Sequence, residues 1–430
     1  MNHLDSNTAA SRRRFLQTCA AIAATGAFAK PNFAAPSPAP LDDLIASTSV
    51  EVIFRGTLGP DRKPQGKTWF STRCCMVPNQ SQDEKVPPTA LMLMAEISGS
   101  DYFGPVMQTE SADLGNSWST PTPVPGLGRR ELHDERKTQI TVCDMVPEFH
   151  EKSGTVLAMG HDVYYRNGSL IHPQPPRKSV YLVRRADGSW SPLRNLEWND
   201  PRGAFIYTCN CAQRINLPDG DVLVPLSVGA NSDGRSALTV RCSFDGEQLT
   251  VRATGEELKM PKGRGFLEPS LAQFGGRYFL TLRAEDQHGY VCVGDDGLAW
   301  SEPTAWQFDD GTPIAMSTTQ QRWLVGEHGL YLVYTRKDPT NTGVMRWRAP
   351  LYTARVDPQT LRLVRATERI VVPLAGDGVQ GGKHVPHLGN FHVNRATAGE
   401  SWITVGDYSV SNFRGDTRLA RVAWSGVAKP

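Results

Sequence analysis

Arginines, a few carboxylates and scattered imidazole and phenol groups are the side chains of this sequence that could do chemistry. Three arginines stand beside strand-like runs: Arg73 in Ser71-Thr72-Arg73-Cys74-Cys75, Arg283 directly after Tyr278 to Leu282, and Arg348 in Arg346-Trp347-Arg348-Ala349-Pro350-Leu351. Guanidinium forks bind carboxylates bidentately, so three of them aimed at one point would hold an acidic sugar such as a sialic, ulosonic or uronic acid. Any one of them alone reads equally well as a surface ion pair. A second chemistry is offered by His161 and Tyr164 in Gly160-His161-Asp162-Val163-Tyr164-Tyr165-Arg166, together with Tyr207. An imidazole base and a phenolic acid could abstract the C5 proton of a uronate whose charge an arginine neutralises. His161 alone reads more simply as a hydrogen-bonded hairpin residue. Leu132-His133-Asp134-Glu135-Arg136 forms another polar cluster, with His133 a candidate for binding. Cys209-Asn210-Cys211 has no nearby Cys or His pair to complete a zinc spacing, and His384, His387 and His392 read better as loop and strand-cap residues. Neither a metal nor a cofactor is expected.

The elements that must position these groups are short strands. Ala90 to Ile97, Val156 to Met159, Val180 to Arg184, Val222 to Leu226, Tyr278 to Leu282, Gly329 to Tyr334 and Trp402 to Val405 are apolar and bounded by Gly, Pro, Asn or Asp. No long 3.6-residue period appears after the N-terminal leader, and 39 Gly and 31 Pro in 430 residues favour many short strands over a helical solenoid. Aspartate-centred turns recur at Asp113, Asp187, Asp245, Asp295 and Asp357, at intervals of 50 to 74 residues. A repeat of that period predicts a radial all-β fold. Six blades are expected over 70–128, 139–198, 204–256, 264–306, 316–372 and 387–424, with the strand around Val50 to Arg55 closing the ring; a seventh blade is the alternative.

The first of these turns, Ser111-Ala112-Asp113-Leu114-Gly115-Asn116-Ser117-Trp118, has the S-x-D-x-G-x-x-W pattern of an Asp-box. With it the chain resembles the sialidase (neuraminidase) superfamily of Asp-box, or BNR-repeat, β-propellers, and the likeness extends to the strands that carry that family's active site. The resemblance implies a six-bladed propeller of sialidase type and an exo-glycosidase that cleaves a terminal acidic sugar. It makes Arg73, Arg283 and Arg348 the three arginines of the family, although the usual Arg-Ile-Pro is absent at Arg73. Asp101, in Ser98-Gly99-Ser100-Asp101-Tyr102, falls where the family carries its general acid/base, and Glu268, in Glu268-Pro269-Ser270-Leu271, matches its glutamate. The family's nucleophilic tyrosine has no counterpart: its region reads His384-Val385-Pro386-His387-Leu388-Gly389-Asn390-Phe391-His392, and Tyr408 follows late. Water would then be the nucleophile, with Glu268 as base and Asp101 as acid. The alternatives are a propeller polysaccharide lyase or rhamnose–glucuronate enzyme working through His161 and Tyr207, and a non-catalytic carbohydrate-binding propeller. Candidate catalytic residues are therefore Glu268, Asp101, His161 and Tyr207; candidate binding residues are Arg73, Arg283, Arg348, His133 and Asn390.

Ser11-Arg12-Arg13-Arg14-Phe15-Leu16, the short apolar run Thr18 to Phe28 and Ala27-Phe28-Ala29 read as a twin-arginine signal over residues 1–29. Its apolar run is shorter than a membrane span requires. Residues 30–45, with Pro31, Pro36, Pro38 and Pro40, read as a tether, and 46–430 as the propeller. The expected partners are the twin-arginine export machinery and an acidic oligosaccharide or glycoconjugate, and the expected place of work is periplasmic or extracellular. Loss of Arg12, Arg13, Arg14 and Asp5 with the leader takes the formal charge from +2 to zero, so no global field draws the chain to nucleic acid or to a membrane surface. Seven cysteines remain; an odd number in strand-like contexts favours buried thiols over disulfides.

Overall fold

Short β-branched and aromatic runs, cut by Gly, Pro and Asp, produce an all-β chain with a β-propeller arrangement. The computed structural model describes residues 41–79, 86–99 and 101–426, all within the unit Leu41–Pro430. The leader 1–29 and most of the proposed tether lie outside the described residues. Asp42 to Leu44 are already anchored: Tyr331 Oη donates to Asp43 (3.0 Å), Leu44 N donates to Tyr331 Oη (2.6 Å), and Arg369 pairs with Asp43. These residues belong to the same compact unit as the sheets. Helical structure among the described residues is limited to short 3-10 turns such as Pro201–Gly203, and no helix is long and apolar enough to cross a membrane.

The sheets are antiparallel meanders in chain order. One contains Trp69–Val77, Thr89–Gly99, Tyr102–Ser111 and Thr122–Pro123, and another Leu267–Phe274, Arg277–Arg283, Gly289–Gly294 and Thr304–Ala305. A third is built on Arg322–Val325, Leu330–Tyr334 and Leu351–Asp357. An eleven-stranded sheet combines two such meanders, Gln139–His150 with Thr155–Arg166 and Arg177–Arg184, and Asp221–Gly229 with Ser236–Phe244 and Leu249–Thr254. They join through the parallel pairing of Arg177–Arg184 with Ile206–Thr208. The last sheet holds His392–Arg395, Glu400–Tyr408 and Thr417–Trp424, and the N-terminal strand Ile45–Phe54 completes it by pairing with Thr417–Trp424. All seven strand-like runs of the sequence fall in strands, Gly329 alone lying one residue outside.

First strands of neighbouring sheets pack side by side: Trp69–Val77 against Gln139–His150 and His392–Arg395, and Arg322–Val325 against Leu267–Phe274 and His392–Arg395. Side chains stitch them to neighbouring backbones: Gln213 Nε2 donates to Trp323 O (2.8 Å), Gln320 Nε2 to Phe391 O (2.7 Å) and Arg214 Nη1 to Val146 O (3.1 Å). Such bonds satisfy buried polar groups that no ladder reaches. At the far ends the aspartate turns are capped as their residue types require. Asp113 Oδ1 accepts from Ser117 N (2.9 Å), Ser111 Oγ accepts from Gly115 N (2.7 Å), and Gly115 takes φ +82°. Trp118 folds toward Phe54 and Trp402, tying this turn to the last sheet. Asp187, Asp245, Asp296 and Asp357 accept from backbone N–H groups two residues on in the same way.

The seven cysteines from Cys74 to Cys292 are all buried free thiols.

Candidate functional site

Three of the first strands break register at the same kind of place. The pairing shifts between Phe70 and Arg73, between Cys143 and Val146, and between Leu267 and Ser270; inside each gap sits a non-glycine residue in the left-handed region, Ser71 (φ +52°), Asp144 (φ +55°) and Glu268 (φ +46°). Bulges of this kind re-aim a side chain at the cost of about 1–3 kcal/mol of backbone strain each. Here two of the three present carboxylates to one cavity.

That cavity has a volume of about 430 Å³. Asp101, Asp144 and Glu268 line it, with the cations Arg177, Arg235, Arg264, Arg283, Arg346 and Arg348. Cys143, His161 and Asn390 contribute to its wall. Glu268 Oε1 accepts from Arg283 Nη1 at 2.7 Å, and its buried Oε2 has no partner among the described residues. Burial pushes the Glu268 carboxyl upward, but the charge and hydrogen bond of Arg283 outweigh it, so the group stays below the usual carboxylate range and ionised. Arg348 is buried and donates to Asn390 Oδ1 (2.9 Å); burial first, then neighbouring Arg346, lowers it to about 10. Arg346 and Trp347, both at φ +51°, form a strained turn just before it, and the Arg346 guanidinium has no hydrogen bond or ion pair among the described residues. Asp101, at φ +49°, is exposed at the cavity edge, and its carbonyl accepts from Tyr165 Oη (2.8 Å).

His161 is buried, with Nε2 3.2 Å from Cys143 Sγ and Nδ1 unpartnered. Burial, then the charge of Arg177, lowers it to about 4, so it is neutral at pH 7. Cys143, Asp144 and His161 hold potential ligand atoms within 4.8 Å of one another, the one group among the described residues able to gather about a metal. Arg73 already donates to Asp144 Oδ1 (2.8 Å), and the cationic surroundings oppose a further cation.

Arg283, Arg348, Glu268, Asp101, His161 and Asn390 are thus brought together. Arg73, Tyr207 and His133 are not. Arg73 is fully buried beneath the cavity, with Nη1 and Nη2 engaged on Asn390 O (2.6 Å), Thr72 O (3.3 Å) and Asp144, so it braces the floor and does not line the cavity itself. Tyr207 points to the opposite side of its strand from the lining residues Ile206 and Thr208, packs on Trp198 and donates to Leu196 O (2.9 Å). His133 is exposed in the loop beside Asp134, outside the cavity wall. The three C-terminal histidines do not cluster: His387 packs edge-on against Tyr408, His392 is buried and His384 is exposed. Sequence reading missed Asp144, Cys143, Arg177, Arg235 and Arg264. Asp144 lies inside an apolar strand and only its bulge turns it inward, while the arginines come from strand ends and loops without a motif.

The fold has counterparts among solved structures. Trypanosoma rangeli sialidase superposes with a TM-score of 0.56 at 13% identity, over 88% of this chain and 60% of that one. The Hadza microbial sialidase Hz136 gives 0.56 at 12%, over 84% and 66%. A Dyadobacter fermentans protein of unknown function gives 0.58 at 10%, over 87% and 99%. The chain thus spans less than two thirds of the sialidase chains it matches. No protein-family model and no curated protein matches the sequence. At such identities the likeness is one of fold: this is a sialidase-like β-propeller.

Proposed function

We propose that the protein is a glycoside hydrolase that takes a terminal acidic sugar by its carboxylate and cleaves it by direct attack of water. The observation that carries this reading is the meeting, in one cavity, of Glu268, ionised and with Oε2 free, and the guanidinium groups of Arg346 and Arg348. Arg348, held by Asn390, and Arg346 clamp the sugar carboxylate; Arg283 is engaged with Glu268 and fixes its direction. Glu268 Oε2 accepts the proton of the attacking water, and Asp101 at the rim protonates the leaving oxygen. No tyrosine lines the cavity among the described residues, which supports water as nucleophile. The test is product analysis with oligosaccharides ending in sialic or uronic acid: reducing-sugar release without an absorbing unsaturated product supports hydrolysis, and a C4=C5 product would replace it with the lyase reading.

A lyase reading retains one favourable observation, the neutral His161 beside Cys143. Tyr207 cannot be its acid from the core side of its strand.

We also propose that the propeller has six blades, the eleven-stranded sheet counting as two. Export by the twin-arginine route suits the free thiols, because a chain folded in a reducing compartment crosses with its cysteines unpaired. Fractionation of cells expressing the chain with and without Arg12 and Arg13 checks this.

A further inference from the structure

The arginines of the cavity fall into two sets, and the proposed clamp uses only one. Arg177, Arg235 and Arg264 belong to a separate sector, where the eleven-stranded sheet meets the connection leading to Leu267–Phe274. Backbone bonds hold each of the three in place. Arg177 N donates to Phe205 O (3.2 Å), Arg177 pairs with Ile206, and Arg235 N donates to Arg264 O (2.7 Å). The Arg235 guanidinium stands 5.9 Å from the Phe205 ring.

Each guanidinium keeps donors free. Arg264 is held by Glu285 Oε1 through Nε (2.8 Å) and Nη2 (2.6 Å), which leaves Nη1. Arg235 uses only Nη1, toward Gly234 O, Asn231 O and Ser232 O, which leaves Nε and Nη2. Arg177 has no hydrogen bond or ion pair among the described residues, although it is largely withdrawn from water. A partly desolvated cation without a partner costs free energy that the fold does not recover. Burial and the neighbouring guanidinium groups also weaken proton binding by Arg177 and Arg235, so the set is self-repelling until an anion enters.

We infer that Arg177, Arg235 and Arg264 form a second oxyanion subsite, so that the substrate carries a carboxylate or sulfate on the sugar next to the one being cleaved. This rests on the acidic-sugar reading for its orientation, since the clamp at Arg346 and Arg348 fixes the first anion. Thio-linked disaccharides, which resist cleavage, test it by calorimetry. The set has glucuronate joined to a neutral hexose, to a second uronate, or to a sulfated hexose, plus the first compound with its carboxylate reduced.

The wild type is expected to bind at least one doubly anionic ligand tenfold or more tighter than the singly anionic one, and the ligand that gains tells carboxylate from sulfate. Arg177→Gln should erase that gain while binding the singly anionic ligand within twofold of wild type. Equal binding of all three acidic ligands, or a gain that survives Arg177→Gln, overturns the subsite. If the reduced compound binds as well as its acid while the second anion still tightens binding through Arg177, the clamp reading falls and the subsite stands.

Discussion

Glu268 is asked to do two things at once: to neutralise Arg283 through Oε1 and to take a proton through Oε2. Glu268→Gln keeps the shape and removes the base, so kcat should fall at least about 1,000-fold while ligand affinity changes little. Single-turnover kinetics with calorimetry checks it, and retained turnover would move the chemistry elsewhere. Removing Arg283 is expected to be a stability mutation as well, because a buried carboxylate loses its partner; Arg283→Ala should cost about 3–5 kcal/mol in denaturant unfolding. The buried histidines set the acid limit. In the unfolded chain they take up protons near pH 6.5, whereas in the fold burial lowers His161 to about 4, His387 to about 3 and His392 well below its ordinary value. The unfolded state therefore binds more protons below pH 6.5, and stability falls as pH drops from there toward 4. With three such groups the limiting slope is about 4 kcal/mol per pH unit. Urea unfolding between pH 7 and 4 should show this loss, offset in part by Asp162, whose carboxyl burial raises to about 6 so that the fold takes up its proton before the unfolded chain does, and a flat profile down to pH 4.5 would contradict it. At this scale the sequence was half legible. Glu268, Arg283 and Arg348 stand next to recognisable strands and were found. Arg73 shares that signal yet is spent on backbone carbonyls, a difference set by depth that no spacing records.

The elements that aim these residues are bulged strands. Gly160 lies opposite the bulge that carries Asp144, and a Cβ there would approach Met145 Sδ to 2.4 Å and Cys143 O to 2.6 Å. Gly160→Ala should therefore force the bulge open, costing about 1–3 kcal/mol and shifting Cys143 and His161 together. A crystal structure and a thermal melt of the variant check both consequences. The strands themselves were legible because short apolar runs and their Gly, Pro, Asn or Asp boundaries are local. The bulges were not, because the left-handed backbone of Ser71, Asp144 and Glu268 goes with a shift in register against the next strand that no residue type marks. Tyr207 shows the same limit from the other side: one residue of register decides between cavity and core, and Ile206 and Thr208 took the cavity.

At the scale of the whole molecule, the last sheet depends on a strand from the other end of the chain. Ile45–Phe54 covers the edge of Thr417–Trp424, and Asp43 is pinned to Arg369 and Tyr331. Deleting residues 41–54 should expose that edge, lower the unfolding temperature and promote aggregation, read by calorimetry and size-exclusion chromatography. The radial fold was readable from five recurring aspartate turns, whereas the cavity's charge was not. A near-neutral chain conceals six arginines against three carboxylates at one mouth, since only folding gathers them. That gathered charge is the centre of the account, and comparing turnover of an acidic terminal sugar with its carboxyl-reduced analogue, in heavy-oxygen water, tests it most directly. The account predicts a kcat/KM at least about 100-fold higher for the acid, equivalent to about 2.7 kcal/mol, with label at the anomeric carbon of the product. Equal turnover of the two compounds, or an unsaturated product without label, would contradict it.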